Sequence, residues 1–302
     1  MSKILVTGGA GMIGSHLVDR LLSEDNKVVV IDDFSMGKTI NLPVNKKLTV
    51  VKEDILGNVE NYFDGVDIVF HLAALTRPRE SMVHPVETNR VNVEGTLKVL
   101  LHSIKNQVKK FVFVSSASVY GFQEEFPLDE GMKPNPASPY ALTKMIGEEL
   151  CRLYKNLSGM KINCVRPFNV YGSRQNPKGE YAAAIPSFIN ALKNEGQPFI
   201  TGDGEQYRDF VYVEDVVDLL IAVSESDMNG EIFNAGSGET TSINVLYKTI
   251  CGILGKEVKP RYVDSILEPN TLADTSKAER LLNWKQRDSL KEGLIKTIKE
   301  MV

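Results

Sequence analysis

A tyrosine and a lysine four positions apart, Tyr140 and Lys144, stand just after Pro139, where a helix can begin. In a helix that spacing sets both side chains on one face. A free tyrosine ionises at about pH 10, so a phenolate base at neutral pH needs help, and an ammonium one turn away supplies a favourable charge. The pair is suited to taking a proton from a hydroxyl group. Tyr/Lys pairs of this spacing also occur on solvated helix surfaces, so five residues alone do not separate the two uses. Ser116 adds to the case. The apolar run Phe111-Val112-Phe113-Val114 ends in Ser115-Ser116-Ala117-Ser118, which puts hydroxyls at the carboxyl end of a strand. There Ser116 can both donate to and accept from a reacting oxygen, although the same residue would also serve as a plain turn.

A second group of residues is notable for lacking side chains. Gly8-Gly9-Ala10-Gly11-Met12-Ile13-Gly14 follows the first apolar run directly and opens a helical stretch. In that context Gly8 permits a tight turn, Gly11 lets backbone N–H groups near a pyrophosphate at the positive helix end, and Gly14 lets helix and sheet pack closely. Alone, the triplet would be no more than a helix-capping turn. The second apolar run ends in Asp32-Asp33, about 20 residues on, where an acid accepts the ribose hydroxyls of a dinucleotide. Asp32 therefore predicts NAD, because a carboxylate there repels the 2′-phosphate of NADP. Lys38 lies close enough to soften that preference. Met12, Ile13, Phe34, Ser35, Gly37 and Lys38 complete the expected cofactor turn and loop.

These residues need elements to hold them. Short apolar runs, Ile4–Val6, Val28–Ile31, Leu48–Val51, Val66–Phe70, Phe111–Val114 and Lys161–Val165, alternate with helical stretches. Continuous apolar strands separated by helices are the sequence form of a parallel sheet covered on both faces, with its ligand site at the strands' carboxyl ends. The expected fold class is α/β, a Rossmann-type doubly wound parallel sheet with a smaller α/β substrate-binding domain. Gly, Pro and Asn crowd residues 169–179 after Arg166-Pro167, which places a soft boundary between residues 1–166, the dinucleotide-binding part, and 167–302, mainly the substrate part, with some segments returning to the first. The later chain reads as helices, such as Ile185–Asn194 and Asp215–Ser224, joined by short loops.

Composition limits the function classes. The 302 residues hold 35 Lys and Arg against 39 Asp and Glu, a formal net charge of −4 without basic blocks, so nucleic acid is not an expected partner. The apolar share of 42% fits a globular chain with a sizeable core. No run of 18 apolar residues offers a membrane span. MSKILVTGG enters a strand at once, which argues against a signal peptide. Cys151, Cys164 and Cys251 show no C-x-x-C pairing, so no metal site is expected and they read as buried reduced thiols of a cytoplasmic protein.

With these features in view, the chain resembles the extended short-chain dehydrogenase/reductase family, in particular its nucleotide-sugar epimerases and dehydratases. The likeness runs through Gly8 to Gly14, Asp32, Asp54-Ile55, His71-Leu72-Ala73-Ala74, Asn92 to Thr96, Ser115 to Gly121, Pro139-Tyr140 with Lys144, Arg166 to Gly172, Gly202 to Asp215 and Thr271 to Ala278, nearly the whole chain in family order. It implies that Asp54, Ile55, Leu72, Ala73, Ala74, Asn92, Ser115 and Pro167 lie near the cofactor. Ser116, Tyr140 and Lys144 would be catalytic, and Ser118, Asn169, Arg208 and Thr271 would face a nucleotide-sugar. Read singly, Asp54 suits a loop cap, Asn169 a turn, and Arg208 an ion pair with Asp209.

Dehydratases and decarboxylases of that family resemble one another in placing a Glu two positions after the catalytic Ser or Thr, with an adjacent Asp in the dehydratases. Here Ala117 and Ser118 stand there. Plain oxidation and re-reduction needs no such acid, so a 4-epimerase of UDP-glucose/UDP-galactose or N-acetylhexosamine type is expected. The alternatives are a 4-ketosugar reductase, another dehydratase or decarboxylase, or a non-catalytic dinucleotide sensor. Asp264-Ser265-Ile266-Leu267 replaces the family's R-x-G-D, and Thr201 its aromatic before G-D-G, which leaves Arg208, with Arg261 nearby, to grip the diphosphate. Small Thr271 suggests room for an N-acetyl group. The resemblance also implies a homodimer through residues 92–103 and 141–154.

Overall fold

The computed structural model describes residues 1–176, 183–264 and 269–301. The chain enters through β1 (Lys3–Thr7), α1 (Met12–Ser23), β2 (Lys27–Asp32), β3 (Leu48–Lys52) and β4 (Ile68–His71). It continues through α2 (Pro78–Val83), α3 (Pro85–Asn89), a wide helical turn at Arg90–Glu94, α4 (Gly95–Lys105), β5 (Lys110–Val114), α5 (Pro139–Leu157) and β6 (Lys161–Pro167). Every strand expected in this half is present. The fourth begins at Ile68 rather than Val66, because Asp67 is used to brace its neighbours: its carboxylate accepts from the Lys3 amide and from Lys109.

The remaining elements are β7 (Asn169–Tyr171), α6 (Ala184–Lys193), β8 (Phe199–Thr201), β9 (Tyr207–Arg208), β10 (Phe210–Tyr212), α7 (Val213–Glu225), β11 (Ile232–Ala235), β12 (Thr241–Ser242), α8 (Ile243–Leu254), β13 (Arg261–Val263), α9 (Ser276–Leu282) and α10 (Leu290–Glu300). A seven-stranded parallel sheet runs β11-β6-β5-β4-β1-β2-β3. β1 and β4 are neighbours at the point where the strand order reverses, and a crevice opens beyond the carboxyl ends of such a pair. Both faces are covered. Val6, Val30, Phe70, Val112 and Val165 pack with Leu17, Val18 and the α7 residues Val216 and Leu220 on one side. Leu5, Ile31, Val69, Phe111 and Phe113 pack with Val99, Leu100 and Cys151 on the other. Successive strand residues thus reach opposite faces, which is why these strands read as unbroken apolar runs.

β11 stands in a stretch read from sequence as helix and loop. Its four residues carry too little pattern to announce a strand, and the free edge of β6 supplies its partner. Three two-stranded pairs, β10 with β7, β12 with β9 and β13 with β8, carry the rest of the later chain. They lie around a cluster that includes Ile185, Phe188, Ile200, Tyr212, Leu246 and Leu294. Cys151 and Cys164 are buried, whereas Cys251, expected inside, is half-buried on α8. No described helix is long and apolar enough to cross a membrane.

Candidate active site

Between β1 and α1 the chain can pass only because side chains are missing. Gly8 has φ +69°, and a Cβ there would sit 2.7 Å from the Ala73 nitrogen, beyond the end of β4. A Cβ at Gly14 would meet the Gly8 carbonyl oxygen at 2.3 Å. Gly11 is the N-cap of α1 and provides no side-chain cap, so the first-turn N–H groups lack an internal partner and face the crevice with the positive helix end. The Met12 and Ile13 side chains turn instead into the apolar cluster of the later chain. This cradle fits a pyrophosphate.

Asp32 closes β2 as a buried carboxylate. It accepts from the Ala10 amide at 2.8 Å and from the Phe34 amide at 2.8 Å, so both oxygens are oriented and each keeps a further lone pair for a hydroxyl donor. Burial raises its pKa above the usual carboxylate value, against those hydrogen bonds. Asp33 is turned to its own loop, accepting from the Ser35 amide and hydroxyl. Gly37 packs where a Cβ would meet Ala10, and the Lys38 amide donates to the Ala10 carbonyl. The Asn41 side chain reaches the same carbonyl. Arg174, past β7, donates to the Asn41 carbonyl at 3.1 Å and to Asp19 of α1 at 2.6 Å, which ties the later chain to this loop.

Across the crevice, Asp54 caps its own loop, accepting from the Leu56 amide, and Ile55 is buried against Gly95. The Leu72 and Ala73 amides donate to the carbonyl and hydroxyl of Thr7. His71 bridges Thr7 and Thr96 at 2.7 and 2.9 Å. Since the Thr96 hydroxyl donates to the Asn92 carbonyl, it receives from His71 Nε2, leaving Nδ1 to accept from Thr7. Burial lowers His71 to about 3, which keeps the ring neutral. Asn92 lies in the wide helical turn, and its side chain is committed to the protein: to both backbone groups of Leu75 and to the Thr143 hydroxyl.

Tyr140, Lys144 and Glu148 lie on one buried face of α5. Tyr140 is raised above its ordinary value by burial, and its hydrogen bond with the Ser116 side chain pulls it down. The Lys144 ammonium, one turn further along α5, donates to the Val114 carbonyl at 2.8 Å and lies 5.0 Å from the Phe113 ring centre. Burial lowers Lys144 to about 8, while Glu148 acts in the opposite sense. The one sequence signal for Glu148 is its spacing from Lys144, which repeats that of the Tyr/Lys pair. It accepts from the Ser115 hydroxyl at 2.6 Å and forms a two-point ion pair with Arg166. Ser116 caps the short helical turn after β5, accepting from the Ser118 amide. The Ser118 hydroxyl is buried and finds no hydrogen-bond partner among the described residues.

Pro167 ends β6 beside Ala235 of β11. The Asn169 side-chain Nδ2 donates to the Asp209 carbonyl and to the Thr271 hydroxyl, both at 2.9 Å, so its Oδ1 is the side-chain atom left to face a ligand. Arg208 is buried and donates to the Tyr207 carbonyl at 2.9 Å. The Asp209 carboxylate takes N–H bonds from Ser237, Gly238 and Ala273, joining three segments of the later chain; sequence offered only its adjacency to Arg208 as a clue. Thr201 ends β8, opposite Val263 of β13, and Arg261 is exposed at the start of β13. Of the replaced R-x-G-D positions, Ser265, Ile266 and Leu267 lie outside the described residues, and Asp264 is exposed.

Residues 4–236 match the model of the NAD dependent epimerase/dehydratase family. A putative UDP-glucose 4-epimerase of Methanocaldococcus jannaschii is 40% identical over 99% of this chain and 98% of its own length. A UDP-N-acetyl-alpha-D-glucosaminuronate decarboxylase of Bacillus cytotoxicus is 32% identical over 98% of this chain and 96% of its own. Among solved structures, the UDP-N-acetylglucosamine 4-epimerase of Methanobrevibacter ruminantium, bound to UDP-N-acetylmuramic acid, superposes with a TM-score of 0.96 at 38% identity, over 99% of this chain and 98% of that one.

Proposed function

The chain belongs to the NAD-dependent epimerase/dehydratase family, and from that premise we propose that it is a nucleotide-sugar 4-epimerase acting on UDP-hexoses. One observation carries the choice within the family: Ser116, Tyr140 and Lys144 converge at the carboxyl end of β5, while Ala117 and Ser118 stand where elimination and decarboxylation would call for acids. The glycine turn, the open first turn of α1 and the acceptors of Asp32 fit the cofactor's pyrophosphate and ribose. NAD held there would supply the redox chemistry, a reversible hydride transfer at C4 of the sugar.

The protein's part is proton handling and orientation. Tyr140, as phenolate, accepts the proton of the 4-hydroxyl, and Ser116 hydrogen-bonds the same oxygen so that it lies in line with the tyrosine. The Ser116 hydrogen bond opposes the burial that raises Tyr140, and the Lys144 ammonium one helical turn on, fixed on Val114, is the cation assigned to favour the phenolate. The 4-ketosugar must then turn over while its nucleotide end stays held, a task for Asn169 and Arg208. Ser118, whose buried hydroxyl finds no partner among the described residues, would hydrogen-bond the sugar.

The test is to incubate purified protein with a panel of UDP-, dTDP-, GDP- and ADP-sugars without added cofactor and to resolve C4 epimers by NMR. Epimers of a UDP-hexose are expected. No epimer from any of them would sink the proposal, and net consumption of added NADH or NADPH would favour a 4-ketosugar reductase.

A further inference from the structure

We propose that Ser81, on α2, is a positioning residue that fixes Tyr140 relative to the wall of the cofactor crevice; this rests on the reading of Tyr140 as the base. Tyr140 is the second residue of α5, so its N–H has no partner within the helix. The helix's own cap does not serve it, since the Ser138 hydroxyl accepts from the Ala141 amide at 3.2 Å. Ser81 does. Its hydroxyl proton goes to the Pro78 carbonyl at 2.5 Å, which leaves a lone pair to accept the Tyr140 N–H at 3.1 Å. Ser81 is 2% exposed, so water does not compete for that bond.

The Tyr140 carbonyl is held as well. The Thr143 hydroxyl donates to it at 2.7 Å and accepts from the Asn92 amide at 3.0 Å. Asn92 in turn bonds the N–H and the carbonyl of Leu75, at 2.8 and 3.0 Å. Leu75 and Ser81 belong to one segment, the stretch that follows β4 and includes Ala73, the residue against which Gly8 packs. A closed circuit therefore runs from Leu75 through Asn92, Thr143, Tyr140 and Ser81 back to the same segment. Its effect is to lock the backbone of the base, on both sides, to the strand end that lines the cofactor turn. Hydride and proton leave neighbouring atoms of one sugar, so the distance between base and cofactor is what must be held.

The experiment compares Ser81→Ala, Thr143→Val, Thr143→Ser and Tyr140→Phe with the unaltered protein, measuring kcat, KM and retained NAD with UDP-galactose and UDP-N-acetylglucosamine as probes. Small misplacements of a reacting group cost on the order of 10- to 100-fold in rate. Ser81→Ala and Thr143→Val are expected to lose kcat on that scale with KM and NAD content unchanged, and Thr143→Ser to recover it. Unchanged kcat in Ser81→Ala while Tyr140→Phe is inactive would overturn the positioning role and leave the base intact. Should Ser81→Ala not fold, Thr143→Val decides alone by the same split. Parallel loss of kcat, KM and NAD would show a merely structural role. Activity in Tyr140→Phe, or no conversion of either probe by the unaltered protein, would overturn the base assignment and this proposal together.

Discussion

The Lys144 ammonium donates to the Val114 carbonyl at 2.8 Å, so the charge proposed to support Tyr140 is held by the strand that also delivers Ser115 and Ser116. Burial lowers this lysine from 10.5 to about 8. The native state thus holds the proton less tightly than the unfolded chain. Below about pH 8 the ammonium is present, and turnover is expected to fall as pH rises through that value. Stability should move the other way: the cost of burying the charge is full below pH 8 and is relieved as pH rises toward 10.5. Rate and denaturant midpoint measured from pH 6 to 10 check both signs, and Lys144→Met should remove the stability component.

Replacing Tyr140 by Phe removes the proton acceptor and keeps the ring. Loss of general acid–base catalysis is worth about 10²- to 10⁴-fold, so turnover should drop by that much while bound NAD, read by absorbance after denaturation, stays constant. A non-catalytic sensor would show no change in its behaviour.

Glu148 and Arg166 are 5% and 2% exposed and meet at two points, 2.8 and 2.7 Å. Glu148→Ala would leave the guanidinium buried without a counter-charge, at a cost of about 3–5 kcal/mol. Urea unfolding should show it. The Ser115 hydroxyl would lose its acceptor in the same variant.

Thr271 is small, and its hydroxyl accepts from Asn169 and from the Asp209 amide. On the proposed function, UDP-N-acetylglucosamine should be converted alongside UDP-glucose, and Thr271→Tyr should lose the N-acetyl substrate first. Conversion of UDP-glucose alone by the unaltered protein would remove the inference of room for an N-acetyl group.

The outer faces of α4 and α5 expose Leu101, Leu142 and Leu153. The family resemblance implies that a second copy covers them. Equilibrium sedimentation should give a dimer, and Leu142→Glu with Leu153→Glu should give a monomer; monomer in the unaltered protein would remove the proposal.

By itself the sequence determined six strands of the large sheet and the residues near their carboxyl ends whose types could do chemistry. Unbroken apolar runs require burial on both faces, glycines at Gly8, Gly11 and Gly14 require a close approach, and the spacing of Tyr140 and Lys144 requires a shared helix face. Each of these is a local constraint, carried by a few adjacent residues. What depended on partners far along the chain was decided by the tertiary structure. β11 becomes a strand because β6 offers an edge. Lys144 is anchored on Val114, 30 positions away, and Tyr140 on Ser81, 59 positions away. Asn92 is bonded to Leu75 and Thr143, 17 and 51 positions away. A serine, a threonine or a glutamate has no periodicity that reveals its partner. Only folding brings donor and acceptor within 3 Å or so, where burial then makes the bond matter.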